Sequence, residues 1–177
     1  MKQLNELIIA VKGAGEMASA VAWRLYMANL CKIIMLEIAH PMAVRRNVSF
    51  CEAVHDRQTT VEGVQAVNVE NVGTISEQWR NGNIAVIVDP QWASIGEIKP
   101  DIVIDATLAK RNLGTNRNDA RLVIGLGPGF EAGRDVHFVI ETNRGHHLGR
   151  VIENGLAAAN TGIPGSIGGY TKERVIV

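Results

Sequence analysis

Gly13, Gly15 and Ala18 share the string Gly13-Ala14-Gly15-Glu16-Met17-Ala18, which follows the apolar run Leu7-Ile8-Ile9-Ala10-Val11 and Lys12. A buried strand running into such a turn and then a helix is suited to holding a pyrophosphate. Gly13 permits the tight turn, Gly15 lets the backbone approach the ligand, and Ala18 keeps the helix close to the strand. The unpaired N–H groups and positive dipole end of that helix would face the anion. Glu37 closes the second apolar run, 24 residues after Gly13. An acid there takes a ribose 2′-hydroxyl and repels a 2′-phosphate, which favours NAD-like over NADP-like ligands. Glu16 cuts the other way, because a carboxylate in the turn competes with a phosphate for the same dipole. The ligand then sits differently, or a divalent cation such as Mg²⁺ bridges Glu16 and phosphate, or Glu16 merely caps the helix.

Further polar groups follow later apolar runs. Asp105 and Lys110 lie just past Asp101-Ile102-Val103-Ile104, and ligands of open α/β sheets bind beyond the carboxyl ends of strands. A structural ion pair between them is the alternative. Arg45 and Arg46 follow the second strand and could reach a phosphate, or could simply line a solvated helix face. Gly125-Leu126-Gly127-Pro128-Gly129 could form an N–H nest for an anion, or a turn between strands. Glu141-Thr142-Asn143-Arg144-Gly145-His146-His147 is the densest polar run after an apolar segment, and such loops often carry chemistry. On a strand His146 and His147 would point apart. No third ligand stands at useful spacing, so no metal site is expected. No nucleophile elbow, Walker lysine or HExxH string is present, and catalytic residues cannot be assigned.

The elements that must position these groups alternate. Strands are expected at 7–12, 32–37, 84–88 and 101–105. A helix is expected from Glu16 to Asn29, with Met17, Val21, Leu25 and Ala28 on one stripe and Ala18 and Ala22 beside it. A second is expected over Met42–His55, opened by Pro41. Thr60–Val69 alternates around Gly63 like a hairpin or edge strand. Thr74-Ile75-Ser76-Glu77 matches a capping box, with Trp79 as anchor of the short helix it starts. Beyond residue 106 helical periodicity fades and glycine rises. Strands are expected at 122–124, 136–140, 148–153 and 173–177, punctuated by Gly125, Gly127 and Gly129, with a turn-rich stretch at 160–169. The reading is an α/β protein with a Rossmann-like, mostly parallel sheet and a β-rich C-terminal half. Residues 1–110 would form the dinucleotide-binding domain and residues 111–177 a glycine-rich segment packed on it.

Bulk composition agrees. The chain has 177 residues, 46% of them apolar, with zero formal net charge. A domain of this size buries roughly 70% of its unfolded surface and needs no staples. With no basic block, a nucleic-acid partner is not expected. No apolar run approaches the ~20 residues of a membrane span. The two cysteines, Cys31 and Cys51, lack metal-ligand spacing, which suits a reducing, cytoplasmic setting.

Several strings resemble the YqeB-type selenium-dependent molybdenum hydroxylase system proteins. They are Lys12-Gly13-Ala14-Gly15-Glu16-Met17-Ala18, Pro41-Met42-Ala43-Val44-Arg45-Arg46, Ala109-Lys110-Arg111-Asn112-Leu113-Gly114-Thr115, Gly125-Leu126-Gly127-Pro128-Gly129-Phe130, Glu141-Thr142-Asn143-Arg144-Gly145-His146 and Asn160-Thr161-Gly162-Ile163-Pro164-Gly165. The resemblance implies an accessory protein in maturing selenium-dependent molybdenum hydroxylases, similar in its Rossmann part to xanthine dehydrogenase accessory factors. It implies a ligand site over Gly13, Gly15, Arg45, Lys110, Arg111, Gly127, Asn143, Arg144 and His146. It also implies continuation past Glu173-Arg174-Val175-Ile176-Val177 into a biotinyl-like β module, where this chain stops. The expected ligand is a dinucleotide, either NAD or the molybdopterin dinucleotide. The expected partner is a molybdenum hydroxylase client, with a homodimer as a further expectation. Two rivals stand beside this reading: an NAD-dependent oxidoreductase, with Glu37 on the ribose and the hydride acceptor near Asp105–Lys110, and a protein-binding scaffold with no nucleotide.

Overall fold

A computed structural model describes residues 2–159 and residue 169. The expected turn-rich stretch at 160–169, all but Gly169, and the expected strand at 173–177 lie outside the described residues. The chain forms two units. The first is Met1–Thr107 with Asp119–Leu122; the second is Leu108–Asn118 with the described residues from Val123 onward.

The first unit runs β1 (Ile8–Lys12), α1 (Glu16–Met27), β2 (Lys32–Glu37), α2 (Glu52–Asp56), β3 (Gln58–Val61), β4 (Val64–Val69), α3 (Ile75–Arg80), β5 (Ile84–Val88), α4 (Ser94–Ile98) and β6 (Ile102–Asp105). Its strands lie in the order β6-β1-β2-β5-β4-β3. All neighbours are parallel except β3 and β4. The runs Ile9–Val11, Ile33–Leu36 and Ile84–Val86 are buried on both faces, as continuous apolar strands of a covered parallel sheet should be. The β3–β4 hairpin turns at Glu62 (φ 47°) and Gly63 (φ 81°), and left-handed backbone at both turn residues matches the twist of the strands. The α/β fold class is therefore as expected, with few and mostly short helices.

Three local expectations are corrected. The face of α1 turned to the core consists of Ala18, Ser19 and Ala22, whereas Met17 is 43% exposed. Small side chains let the helix backbone approach the sheet, and the bulkier stripe is left outside. The helix ends as expected, with Asn29 left-handed (φ 66°) and the Leu30 N–H bonded to the Leu25 carbonyl.

The helix expected over Met42–His55 is absent. Residues 38–45 are irregular, Arg46–Val48 is a single 3₁₀ turn, and only Glu52–Asp56 is helical. Branched and short polar residues (Val44, Asn47, Val48, Ser49) favour this weakly, and tertiary partners take the backbone. Glu16 accepts the Arg45 N–H, Ser19 Oγ accepts the Phe50 N–H at 2.8 Å, and the Ala14 carbonyl accepts the Cys51 N–H at 2.8 Å.

Thr74 forms no capping box. It is already in helical backbone conformation, and its hydroxyl bonds back to the Asn71 carbonyl at 3.0 Å. Trp79 does anchor α3, donating from Nε1 to the Ile33 carbonyl at 2.9 Å.

Asp101 ties the start of β6 to the start of β1. Its carboxylate accepts Lys2 Nζ at 2.8 Å and the Ile8 N–H at 2.9 Å. Burial pushes this acid up, but the Lys2 and Ile8 bonds prevail and hold it below its ordinary value. A carboxyl depressed in the folded state contributes stability above its unfolded pKa of about 3.9 and loses it as pH falls through the folded value. Chemical denaturation from pH 6 down to pH 2 is expected to show an acid limb that is shallower in Asp101→Asn.

The second unit contains β7 (Leu122–Leu126) from Val123 onward, β8 (Glu131–Ala132), β9 (Phe138–Ile140), β10 (Val151–Ile152) and β11 (Gly155–Leu156). β9 lies between β7, to which it is parallel, and β10, to which it is antiparallel; β8 and β11 pair separately. The β-rich texture is as expected, though the strands are shorter. Residues 145–149 are bends and turns, so His146 and His147 lie on a turn and not on a strand. Gly125 is inside β7 instead of punctuating after it, and a Cβ there would stand 2.5 Å from the Phe130 ring. No helix among the described residues is long and apolar enough to cross a membrane.

Candidate nucleotide site

In the first unit the strand order turns at β1. β2 and then β5 lie on one side of it, and β6, the last strand of the unit, lies on the other. In open α/β sheets the ligand crevice lies at such a switch point, beyond the carboxyl ends of the strands. The turn Gly13–Gly15 leaves β1 there, between the ends of β2 and β6.

The turn is held from both sides. Gly13 has φ +90°, its N–H bonds the Leu36 carbonyl at 2.7 Å, and a Cβ on it would stand 3.5 Å from Thr107 backbone atoms. Glycine is required at this position by the protein itself. Gly15 differs. It caps α1 in ordinary extended backbone (φ −68°), and a Cβ built on it meets nothing within 4 Å. Neither conformation nor packing asks for glycine there, so the missing side chain leaves open space directly at the mouth of a 12-residue helix. Ala18 is buried against the sheet, as the close approach of α1 requires.

Glu37 stands at the tip of β2 and binds the turn directly. One carboxylate oxygen accepts the Ala14 N–H at 2.7 Å and the other the Ile38 N–H at 2.8 Å. Each oxygen retains a lone pair, so the group can still accept a hydroxyl. Glu16, first residue of α1, turns both oxygens to Arg45. Oε1 accepts the Arg45 N–H at 2.6 Å and Oε2 accepts Nη2 at 2.8 Å. The Arg45 side-chain hydrogen bond holds the Glu16 carboxyl below its ordinary range. Arg46 is likewise engaged, its Nε donating to Glu52 at 2.7 Å.

Composition alone missed a group at the end of β1. Lys12 is 1% exposed, yet its Nζ lies 2.9 Å from Asp119 Oδ2 and 5.5 Å from the centroid of Trp92. In the sheet it is in register with Asp105, which is fully buried and accepts the Thr107 N–H at 3.1 Å and the Thr107 hydroxyl at 2.7 Å. Trp92 is left-handed (φ 61°), an uncommon conformation for a bulky residue. Buried ionic groups and local strain thus gather at the carboxyl ends of β1 and β6. The one signal in the sequence was a lysine closing an otherwise apolar strand.

The remaining expected site residues belong to the second unit. Lys110 and Arg111 are exposed, with Lys110 left-handed (φ 59°). Gly127 (φ +76°) and Gly129 (φ +112°) both have left-handed backbone and close neighbours. A Cβ on Gly127 would stand 2.5 Å from Thr142 Oγ1, and one on Gly129 2.7 Å from the Arg111 backbone. Asn143, Arg144, His146 and His147 line a recess of about 260 Å³ with Glu141. Glu141 is 6% exposed, and its oxygens accept the Asn143 and Ala158 N–H groups at 2.8 and 2.7 Å. It therefore serves to shape this loop. No group of three or more metal-ligating side chains occurs among the described residues. The expected sites accordingly fall into two sets: Gly13, Gly15, Glu16, Ala18, Glu37, Arg45 and Asp105 in the first unit, the others in the second.

No family model matches the sequence, and no solved structure matches it. Among curated proteins, the chain is 50% identical over 169 residues, 96% of its length, to the uncharacterised protein YqeB of Escherichia coli strain K12. The chain spans about a third (31%) of that relative's length. Over those 169 residues the chain is similar to YqeB.

Proposed function

We propose that the turn Gly13–Ala18 binds the pyrophosphate of a dinucleotide-type ligand, and that the protein acts as an accessory factor in maturing selenium-dependent molybdenum hydroxylases. The molybdopterin dinucleotide is the favoured ligand. Gly15 carries the binding reading: a glycine that its own fold does not need, at a helix mouth beside a topological switch point. Glu37 adds an acceptor at the tip of β2, two hydrogen bonds having already fixed its orientation. The maturation role draws its support from the motifs shared with the YqeB-type hydroxylase system proteins.

Thermal unfolding against NAD⁺, NADP⁺, FAD, CDP, CTP and molybdopterin cytosine dinucleotide, each with and without Mg²⁺, tests this. A ligand at about 100 times its dissociation constant adds about 2.7 kcal/mol. Stabilisation by the cytosine nucleotides or the cofactor is the expected result. Glu37 favours an NAD-dependent oxidoreductase as the second reading, and stabilisation by NAD⁺ alone would put it ahead of the first. A flat response leaves a protein-binding scaffold. A Mg²⁺ requirement that Glu16→Gln removes would show a cation held between Glu16 and phosphate; binding indifferent to both excludes one.

A further inference from the structure

We propose that Arg45 serves this site through Glu16, as a positioning residue that draws a competing carboxylate away from the phosphate path. The inference rests on the dinucleotide reading of the glycine turn.

A carboxylate at the first position of a helix is attracted to the N–H groups of the first turn, where a phosphate would bind. In this protein both Glu16 oxygens point instead to Arg45, one to its backbone N–H at 2.6 Å and one to Nη2 at 2.8 Å. The arrangement removes Glu16 as a rival in two ways. It turns both oxygens sideways, and it offsets its charge with a guanidinium.

The strap that presents Arg45 is held independently of that guanidinium. His55 Nε2 lies 3.0 Å from the Pro41 carbonyl, Ser49 Oγ donates to the Arg45 carbonyl at 3.0 Å, and the Cys51 N–H bonds the Ala14 carbonyl. The Arg45 side chain is 74% exposed, and its neighbours Met42 and Val44 are almost fully so. An ion pair this exposed contributes little to stability, so the fold does not account for it. Its placement on the acidic residue that opens the helix does.

A double-mutant cycle separates this role from direct contact between Arg45 and phosphate. Dissociation constants for NAD⁺ and for CTP, each with Mg²⁺, would be measured by calorimetric titration of wild type, Arg45→Ala, Glu16→Gln and the double variant. Arg45→Ala is expected to weaken binding about tenfold, and Glu16→Gln to tighten it up to about threefold. The double variant is expected to return to within about threefold of wild type, since no carboxylate remains to be drawn aside. A double variant as weak as Arg45→Ala means that Arg45 touches the ligand itself, which overturns the inference and leaves the dinucleotide reading standing. Arg45→Ala binding as wild type does likewise. Wild type binding neither probe overturns both. Hydrogen exchange without ligand adds a direct readout of the latch: the Arg45 amide is expected to exchange faster in Glu16→Ala, which has no side-chain acceptor for it, and an unchanged rate counts against the pair.

Discussion

Gly15→Ala is expected to weaken nucleotide binding by about 10–100-fold, the cost of forcing a methyl group into a close contact, while the protein keeps its fold. The open space around a Cβ at this position and its ordinary φ of −68° mean that alanine is accommodated. The stability cost should stay at or below about 1 kcal/mol, the range for alanine at a helix N-cap. Gly13→Ala is expected to do the opposite. Its φ of +90° forces a side chain into a strained conformation costing about 1–3 kcal/mol. Denaturant unfolding and titration of the same two variants separate a glycine kept for a ligand from one kept for the chain. Should Gly15→Ala bind nucleotide as tightly as wild type, the turn is not a phosphate site and the scaffold reading takes its place.

Lys12→Met is expected to be the most destabilising single substitution at the site. The lysine is 1% exposed and its ammonium lies 2.9 Å from Asp119. Methionine fills much of the same volume, so the loss is mainly electrostatic: it removes the cation and leaves a half-buried carboxylate behind. Breaking a buried ion pair from one side costs about 3–5 kcal/mol, and the 21% exposure of Asp119 places this one near about 3 kcal/mol. For a chain of this length that lowers the melting temperature by about 6–12 °C. Asp119→Asn in the Lys12→Met background is expected to recover part of the loss, because it removes the charge that the lysine offset. A melting temperature within about 2 °C of wild type for Lys12→Met would show that the pair with Asp119 gains little beyond the cost of burying the ammonium.

Sequence and structure agree for most features whose determining interactions are local, the capping box expected at Thr74 being the exception. β1, β2 and β5 are legible because unbroken runs of Ile, Val, Leu and Met have no stable place except a sheet covered on both sides. The hairpin is legible because Gly63 interrupts an alternating pattern, and the glycine turn because only small residues admit that geometry. Trp79 was legible as an anchor, though not its partner, the carbonyl of Ile33, 46 residues away.

What sequence alone does not determine is decided by partners distant in the chain. The strap after β2 has some helical periodicity, yet Glu16, Ser19 and Ala14 take its hydrogen bonds and a helix is lost. Gly125, Gly127 and Gly129 stand out in the sequence, but that Cβ atoms on them would meet Phe130, Thr142 and Arg111 does not. The two residues of greatest consequence followed the same division. Gly15 could be singled out from its motif, but only the empty space around it separates its purpose from that of Gly13. Lys12 looked like the polar end of a strand until Asp119, 107 residues on, was found against it. Periodicity and turn chemistry act over a few residues and are written in the chain. Burial of a charge or the need for a glycine depends on which remote atoms arrive, and only the folded structure decides that.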